Sequence, residues 1–144
     1  TLDHGQGLAA DERYPEELAA LRARRPDARV AELTRLAIEG TASAIEGRAL
    51  LAQLVEAAYA HGRPRAVTDV VIEVNPRHVA FYQRLVGFIA LGPQRWCPRV
   101  NAPGVLLWLP VAHMDAAIAA AAGTDPASLA LPAAPVLSHR SVYA

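Results

Sequence analysis

The feature that most constrains this chain is a strand, helix, strand order within about 45 residues. Val30 to Ile38 (VAELTRLAI) alternates as a strand, with Val30, Glu32, Thr34, Leu36 and Ile38 on one face and Ala31, Leu33, Arg35 and Ala37 on the other. Ser43-Ala44-Ile45-Glu46 then carries a capping-box pattern, and Leu50, Leu51, Leu54, Val55, Ala58 and Tyr59 recur at helical spacing until Gly62 and Pro64. Val67 to Val74 (VTDVVIEV) is a dense β-branched strand. Two strands joined through a helix cannot form a hairpin, so the pattern predicts a right-handed parallel crossover and an α/β fold.

The flanking segments extend this unit. Thr1 to Gly7 reads as the end of a strand and a turn, and Pro15 to Arg22 as a short helix with acids in its first turn and arginine in its last. Asn75-Pro76 opens another helix, with Val79, Tyr82 and Val86 on one face, Phe81 and Leu85 beside it, and Gly87 closing it. Phe88 to Leu91 and Gly104 to Leu109 suit an antiparallel pair across a long connection, and His113 to Ala122 adds a terminal helix. The expected division is a core over 1–123 and a proline- and alanine-rich tail over 124–144 that is loosely attached.

With 144 residues, 53% of them hydrophobic, the chain is large enough to bury one core. Fourteen basic residues balance fourteen acidic ones, which leaves no overall electrostatic case for nucleic acid or an anionic membrane. All fourteen basic residues are arginine, a feature read first as genomic base composition. A single cysteine, Cys97, excludes an intrachain disulfide, and no stretch approaches the roughly 18 to 20 apolar residues of a membrane span. A cytoplasmic location is the expectation, and the histidines show no metal-ligand spacing, so no metal is expected.

Three motifs in one order carry a family resemblance. Asn75 to Phe88 (NPRHVAFYQRLVGF) resembles the late helix of the GNAT acyltransferase superfamily. Glu32-Leu33-Thr34-Arg35-Leu36-Ala37 is similar to the Glu-x-Ser/Thr-Arg strand of acyl-homoserine-lactone synthases and long-chain N-acyl amino acid synthases, and Cys97-Pro98-Arg99-Val100-Asn101-Ala102-Pro103 resembles the latter in particular. The resemblance covers about residues 1 to 112. It implies a GNAT-like mixed sheet with a splayed parallel strand pair flanked by helices, of which the N-terminal part, the family's opening strand and helices, is missing here. It also implies transfer of a long-chain acyl group from acyl carrier protein to the amine of an amino acid. The usual phosphate loop of the superfamily is not matched by Glu39-Gly40-Thr41-Ala42-Ser43-Ala44-Ile45-Glu46-Gly47. That departure suits a phosphopantetheine donor with its single phosphate, and a degenerate coenzyme A site reads the same way. An acetyl coenzyme A dependent acetyltransferase and a non-catalytic lipid- or partner-binding module stay open as alternatives, and no permanently bound cofactor is implied.

Acyl transfer from a thioester needs a neutral amine, an aligned carbonyl with donors for the oxyanion, and a proton for the leaving thiolate. Glu32 is the leading base candidate, or equally a glutamate paired to stabilise the sheet. Glu73, late in the second strand, is the alternative base, or a partner of Arg77. Tyr82 is placed to protonate the thiolate, or is a core tyrosine. Thr34 lies on the Glu32 face, Arg35 is a candidate for a carboxylate or phosphate, and the resemblance makes the backbone of Leu36, Ala37 and Ile38 the binder of the pantetheine amides. Asn75 is a weak candidate, best explained as a helix cap. Cys97 carries no sign of activation. Arg22, Arg24, Arg25 and Arg29 form a basic cluster suited to a carrier protein or to solvent, and Leu36, Val71, Leu106 and Trp108 are available to an acyl tunnel or to core packing.

Overall fold

The computed structural model describes residues 7–34 and 44–122. A 3-10 turn (Ala9–Glu12) leads into helix α1 (Pro15–Arg24), strand β1 (Val30–Leu33), helix α2 (Ala44–Gly62) and strand β2 (Asp69–Val74). A 3-10 turn (Pro76–His78) enters α3 (Val79–Leu85), and β3 (Ile89–Ala90), β4 (Arg95–Cys97), β5 (Ala102–Pro110) and α4 (Val111–Ala122) complete the described chain. The crossover is realised: β1 and β2 are parallel, with α2 between them in sequence. Strand order is β1-β2-β5-β3, and β4 pairs with the beginning of β5. β5 is antiparallel to β2 over six registers, from Asp69↔Pro110 to Val74↔Val105.

Alternation along the strands gives the sheet two apolar faces. Val30, Val71 and Leu106 point to one and pack with Leu8, Ala10, Tyr14, Leu18 and Leu21, so the 3-10 turn and α1 cover this side. Ile72, Val105, Leu107 and Leu109 point to the other and pack with Phe88 and with Val79, Tyr82 and Val86 of α3 and Met114 of α4. Helix α2 is tied to α4 by the Tyr59 hydroxyl, which donates to Asp115 Oδ1 at 2.5 Å. Val71, Leu106 and Trp108, offered above as tunnel residues, belong to or pack against the core beneath α1; Leu36 lies outside the described residues.

The expected strand over residues 30 to 38 is shorter than its pattern. It ends at Leu33, and Thr34 already lies outside it; residues 35–38 fall outside the described residues, as do 1–6, Ser43 of the capping box and the tail. Proline at the first position starts α1 as its sequence suggests, and Gly87 closes α3 at φ +90°, a conformation that a side chain disfavours. The 3-10 turn at Ala9–Glu12 and the three-residue β4 carry no periodicity, and sequence reading did not find them.

Asp69 pins the start of β2 from inside the core. Fully buried, it accepts from the Trp108 indole N–H at 2.8 Å and the Thr68 hydroxyl at 2.7 Å, and faces Arg25 Nε at 2.8 Å. Asp69→Ala orphans these donors and is expected to destabilise the fold by about 3 kcal/mol. Trp108→Phe keeps an aromatic ring, loses the indole N–H donor and is expected to cost about 1 kcal/mol. Urea midpoints at constant slope measure both, and equal effects would contradict the assigned roles.

Candidate active site

The parallel pairing stops before the sheet does. β1 and β2 are in register from Val30↔Asp69 to Leu33↔Ile72, whereas β2 runs on through Glu73 and Val74 with β5 as its partner. Among the described residues nothing from β1 lies beside these last two residues. A backbone edge of this kind has N–H and C=O groups to offer a ligand or water.

Two carboxylates stand on one face at this notch. Glu32 is 2% exposed, and its Oε2 accepts from the backbone N–H of Ala10 at 3.2 Å, in the 3-10 turn that covers this side. Burial pushes its proton affinity above the ordinary carboxylate range; the backbone N–H groups of Ala10 and Ala9 oppose the shift, and the charge of Glu73 adds to it. Glu73 is taken by Arg13, which stands just after the same turn. Arg13 Nε donates to both carboxylate oxygens at 2.9 Å, and Nη2 also reaches Oε2. This pairing holds the guanidinium of Arg13 above its ordinary value. Arg77, offered above as an alternative partner for Glu73, points its Nε at His78 Nε2, 3.1 Å away.

Tyr82 lies across the sheet. On α3 it packs into the opposite core, with the rings of Phe81 and Phe88 edge-on at 5.6 and 6.0 Å. Burial raises its phenol above the ordinary value, so it stays protonated at neutral pH. Asn75 caps the turn after β2, its Oδ1 accepting from Arg77 N–H at 3.1 Å. Thr34 is exposed at the mouth of the notch, and Arg35, Leu36, Ala37 and Ile38 fall outside the described residues. The structure thus brings Glu32 and Glu73 together on one face, sets Tyr82 on the other, and uses Asn75 locally.

Arg13 is the residue that sequence reading missed. Its partner lies 60 positions away, and the only local signal was an arginine ending an acidic turn. Within the basic cluster, Arg22 forks onto Asp11 at 2.6 and 2.8 Å and Arg25 faces Asp69, so these two serve intramolecular pairs. Beside α3, residues Ala52, Val55, Glu56, Leu85, Val86, Met114 and Ile118 line a mainly apolar groove of about 240 Å³ between α2, α3 and α4. Val86 stands one helical turn beyond Tyr82. Among the described residues no group of three or more His, Cys, Asp or Glu converges to hold a metal ion, and no helix is long and apolar enough to cross a membrane.

Comparison with known proteins places this geometry in context. The family model described as N-acyl amino acid synthase FeeM matches residues 1–110. The solved structure of FeeM, an N-acyl amino acid synthase from uncultured soil microbes, superposes with a TM-score of 0.62 at 30% sequence identity, covering 76% of this chain and 62% of that one. The chain therefore spans less than two thirds of that relative. No curated protein matches.

The raised affinity of Glu32 has a consequence for stability. The folded state holds this proton more tightly than the unfolded chain, whose carboxylate keeps the ordinary value of 4.5. The contribution of Glu32 is therefore fully present below 4.5 and is lost as pH rises through the folded value. Glu32→Gln removes this dependence. Its unfolding free energy is expected to gain on the parent's as pH climbs from about 4 to about 7, measured by urea titration at each pH; parallel curves would contradict the burial argument.

Proposed function

The chain belongs to the N-acyl amino acid synthase FeeM family, and on that premise we propose that it carries the catalytic centre of an acyltransferase moving a long acyl chain from the phosphopantetheine of an acyl carrier protein to the amine of an amino acid. The observation that carries this reading is the notch among the described residues where the β1 ladder ends at Leu33↔Ile72 and β2 runs on, with a buried carboxylate on one face and a partly buried tyrosine on the other.

The thioester enters from the α3 side of the sheet, and the β2 edge at Glu73 and Val74, which has no β1 partner among the described residues, offers hydrogen bonds to the pantetheine amides. The amine approaches from the Glu32 face. Its nitrogen attacks the thioester carbonyl, Glu32 accepts the proton the nitrogen loses, and the carbon–sulfur bond breaks as Tyr82 donates its phenolic proton to the departing sulfur. Amide and thiol are the products; solvent then returns a proton to Tyr82 and takes one from Glu32. A base works best with an affinity near the working pH, which the burial of Glu32 promotes, and a donor must stay protonated, which the burial of Tyr82 ensures. Arg35 and Thr34 are assigned to the acceptor amino acid and the notch mouth, and Leu36 to Ile38 to the donor.

The groove beside Val86 is assigned to the acyl chain. It is mainly apolar, lies on the α3 side of the sheet, and is lined by Val86, one helical turn beyond Tyr82. A cytoplasmic setting accompanies this reading, because the carrier protein donor and the amino acid acceptor would meet there.

The test uses the full-length protein with acyl carrier protein, acyl coenzyme A and acetyl coenzyme A as alternative donors. Acyl carrier protein is expected to be preferred, and preference for acetyl coenzyme A would overturn the donor assignment. Glu32→Gln is expected to lower kcat by about 10²- to 10⁴-fold, and Tyr82→Phe by about tenfold; unchanged turnover in the first removes Glu32 as base. Val86→Trp fills the groove and is expected to lower the ratio of long- to short-chain turnover by at least about tenfold.

A further inference from the structure

Glu32 and Glu73 sit on one face of neighbouring strands, Glu32 opposite Val71 and Glu73 two residues further along β2. Side chains so related are about 7 to 8 Å apart at their bases, within mutual reach for two glutamates. Two carboxylates that meet in a buried cleft share one proton and cannot both act as a base. What keeps these apart is visible in the packing. Glu73 leans over β5 against the bare Cα of Gly104, where an added Cβ would stand 2.4 Å from Oε1 and 2.9 Å from Cγ. Arg13 grips the carboxylate from the other side, and the paired side chains are only 13% and 11% exposed, so solvent screens them little.

Arg13 is itself held. Its backbone oxygen accepts from Arg95 Nη1 at 2.5 Å, and Arg95 forks onto Glu17 at 2.9 and 2.6 Å while stacking 4.7 Å above the Tyr14 ring. The Tyr14 hydroxyl closes the circuit by donating to the Gly104 carbonyl at 2.9 Å. Resting on the reading of Glu32 as the base, we propose that Arg13 and Gly104 form a positioning device which parks the Glu73 carboxylate over β5, balances its charge, and leaves Glu32 as the single base of the notch. Of the neighbouring acids on the covering segment, Asp11 pairs with Arg22, Glu17 with Arg95, and Glu12, 74% exposed, lies 4.0 Å from Arg13 Nη1 and 3.9 Å from Arg99 Nη2. Of the acids named, Glu73 is the one whose charge reaches Glu32, where it adds to the rise that burial causes.

The prediction is a pair of opposite signs. In the full-length protein, Glu73→Gln leaves Arg13 unbalanced and moves the acidic limb of the kcat/KM profile to lower pH by roughly one unit. Arg13→Gln frees the Glu73 charge and moves the limb up by a similar amount, and the double variant returns it close to the parent. A merely structural role moves both single variants the same way or not at all, and either result overturns the proposal. Should Arg13→Gln fail to fold, Glu73→Gln decides alone with its urea midpoint measured beside it: a lowered limb at an unchanged midpoint supports the device, and an unmoved limb, or one lowered only with a fallen midpoint that reports a loosened turn rehydrating Glu32, overturns it. Carboxyl-carbon NMR titration of Glu32 in the Glu73→Gln protein reads the same shift without turnover. It tests the device independently of the acyl-transfer reading, which full turnover by Glu32→Gln would sink.

Discussion

Everything at this site depends on a parallel ladder that is four residues long. β2 stays extended past Ile72 because β5 pairs with it to its end, so losing β1 as a partner does not unravel it. Among the described residues this last stretch of β2 has β5 on one side and no β1 partner on the other, and backbone donors and acceptors on such an edge suit the amide groups of an extended ligand. If β1 followed β2 to Val74, the same residues would make an ordinary closed sheet. The function proposed for the chain thus rests on where pairing ends among the described residues.

The two sides of the sheet then acquire different chemistry. On one, a carboxylate is buried beneath a 3-10 turn whose Ala10 N–H it accepts at 3.2 Å, which holds it in place without restoring its hydration. On the other, a tyrosine stands among aromatic and aliphatic side chains of α3 and the core, next to an apolar groove. Neither side alone can run an acyl transfer. In the proposed reaction the notch is where they meet, the carboxylate taking the proton of the amine and the phenol supplying one to the departing sulfur.

How much of this the residues announced follows from the range of each interaction. The crossover, α2 and the closing glycine of α3 were legible because capping, periodicity and φ preference act within a few positions, and Asn75 read correctly as a cap for the same reason. Alternation told which strand residues share a face but not what covers them, so Val71 and Leu106, equally suited to a tunnel or a core, proved to be core beneath α1. Glu73 drew attention to its sequence neighbour Arg77, whereas the fold supplied Arg13 from 60 residues away. Pattern reading extended β1 to Ile38 through alternation that continues past Leu33; the described strand ends where the partner's register does.

The lysine-free composition takes on a physical meaning at the segment over Glu32. Three arginine forks fasten it: Arg22 onto Asp11, Arg95 onto Glu17, and Arg13 onto Glu73. Each uses two or more N–H groups in a plane, which an ammonium cannot reproduce. A base composition that favours arginine is enough to explain why lysine is absent, but the forks decide how tightly the turn can be held without adding apolar surface near a polar cleft. The fixed turn in turn seals the Glu32 carboxylate, so the proton affinity of the proposed base is a property of the covering segment as much as of the strand that bears it.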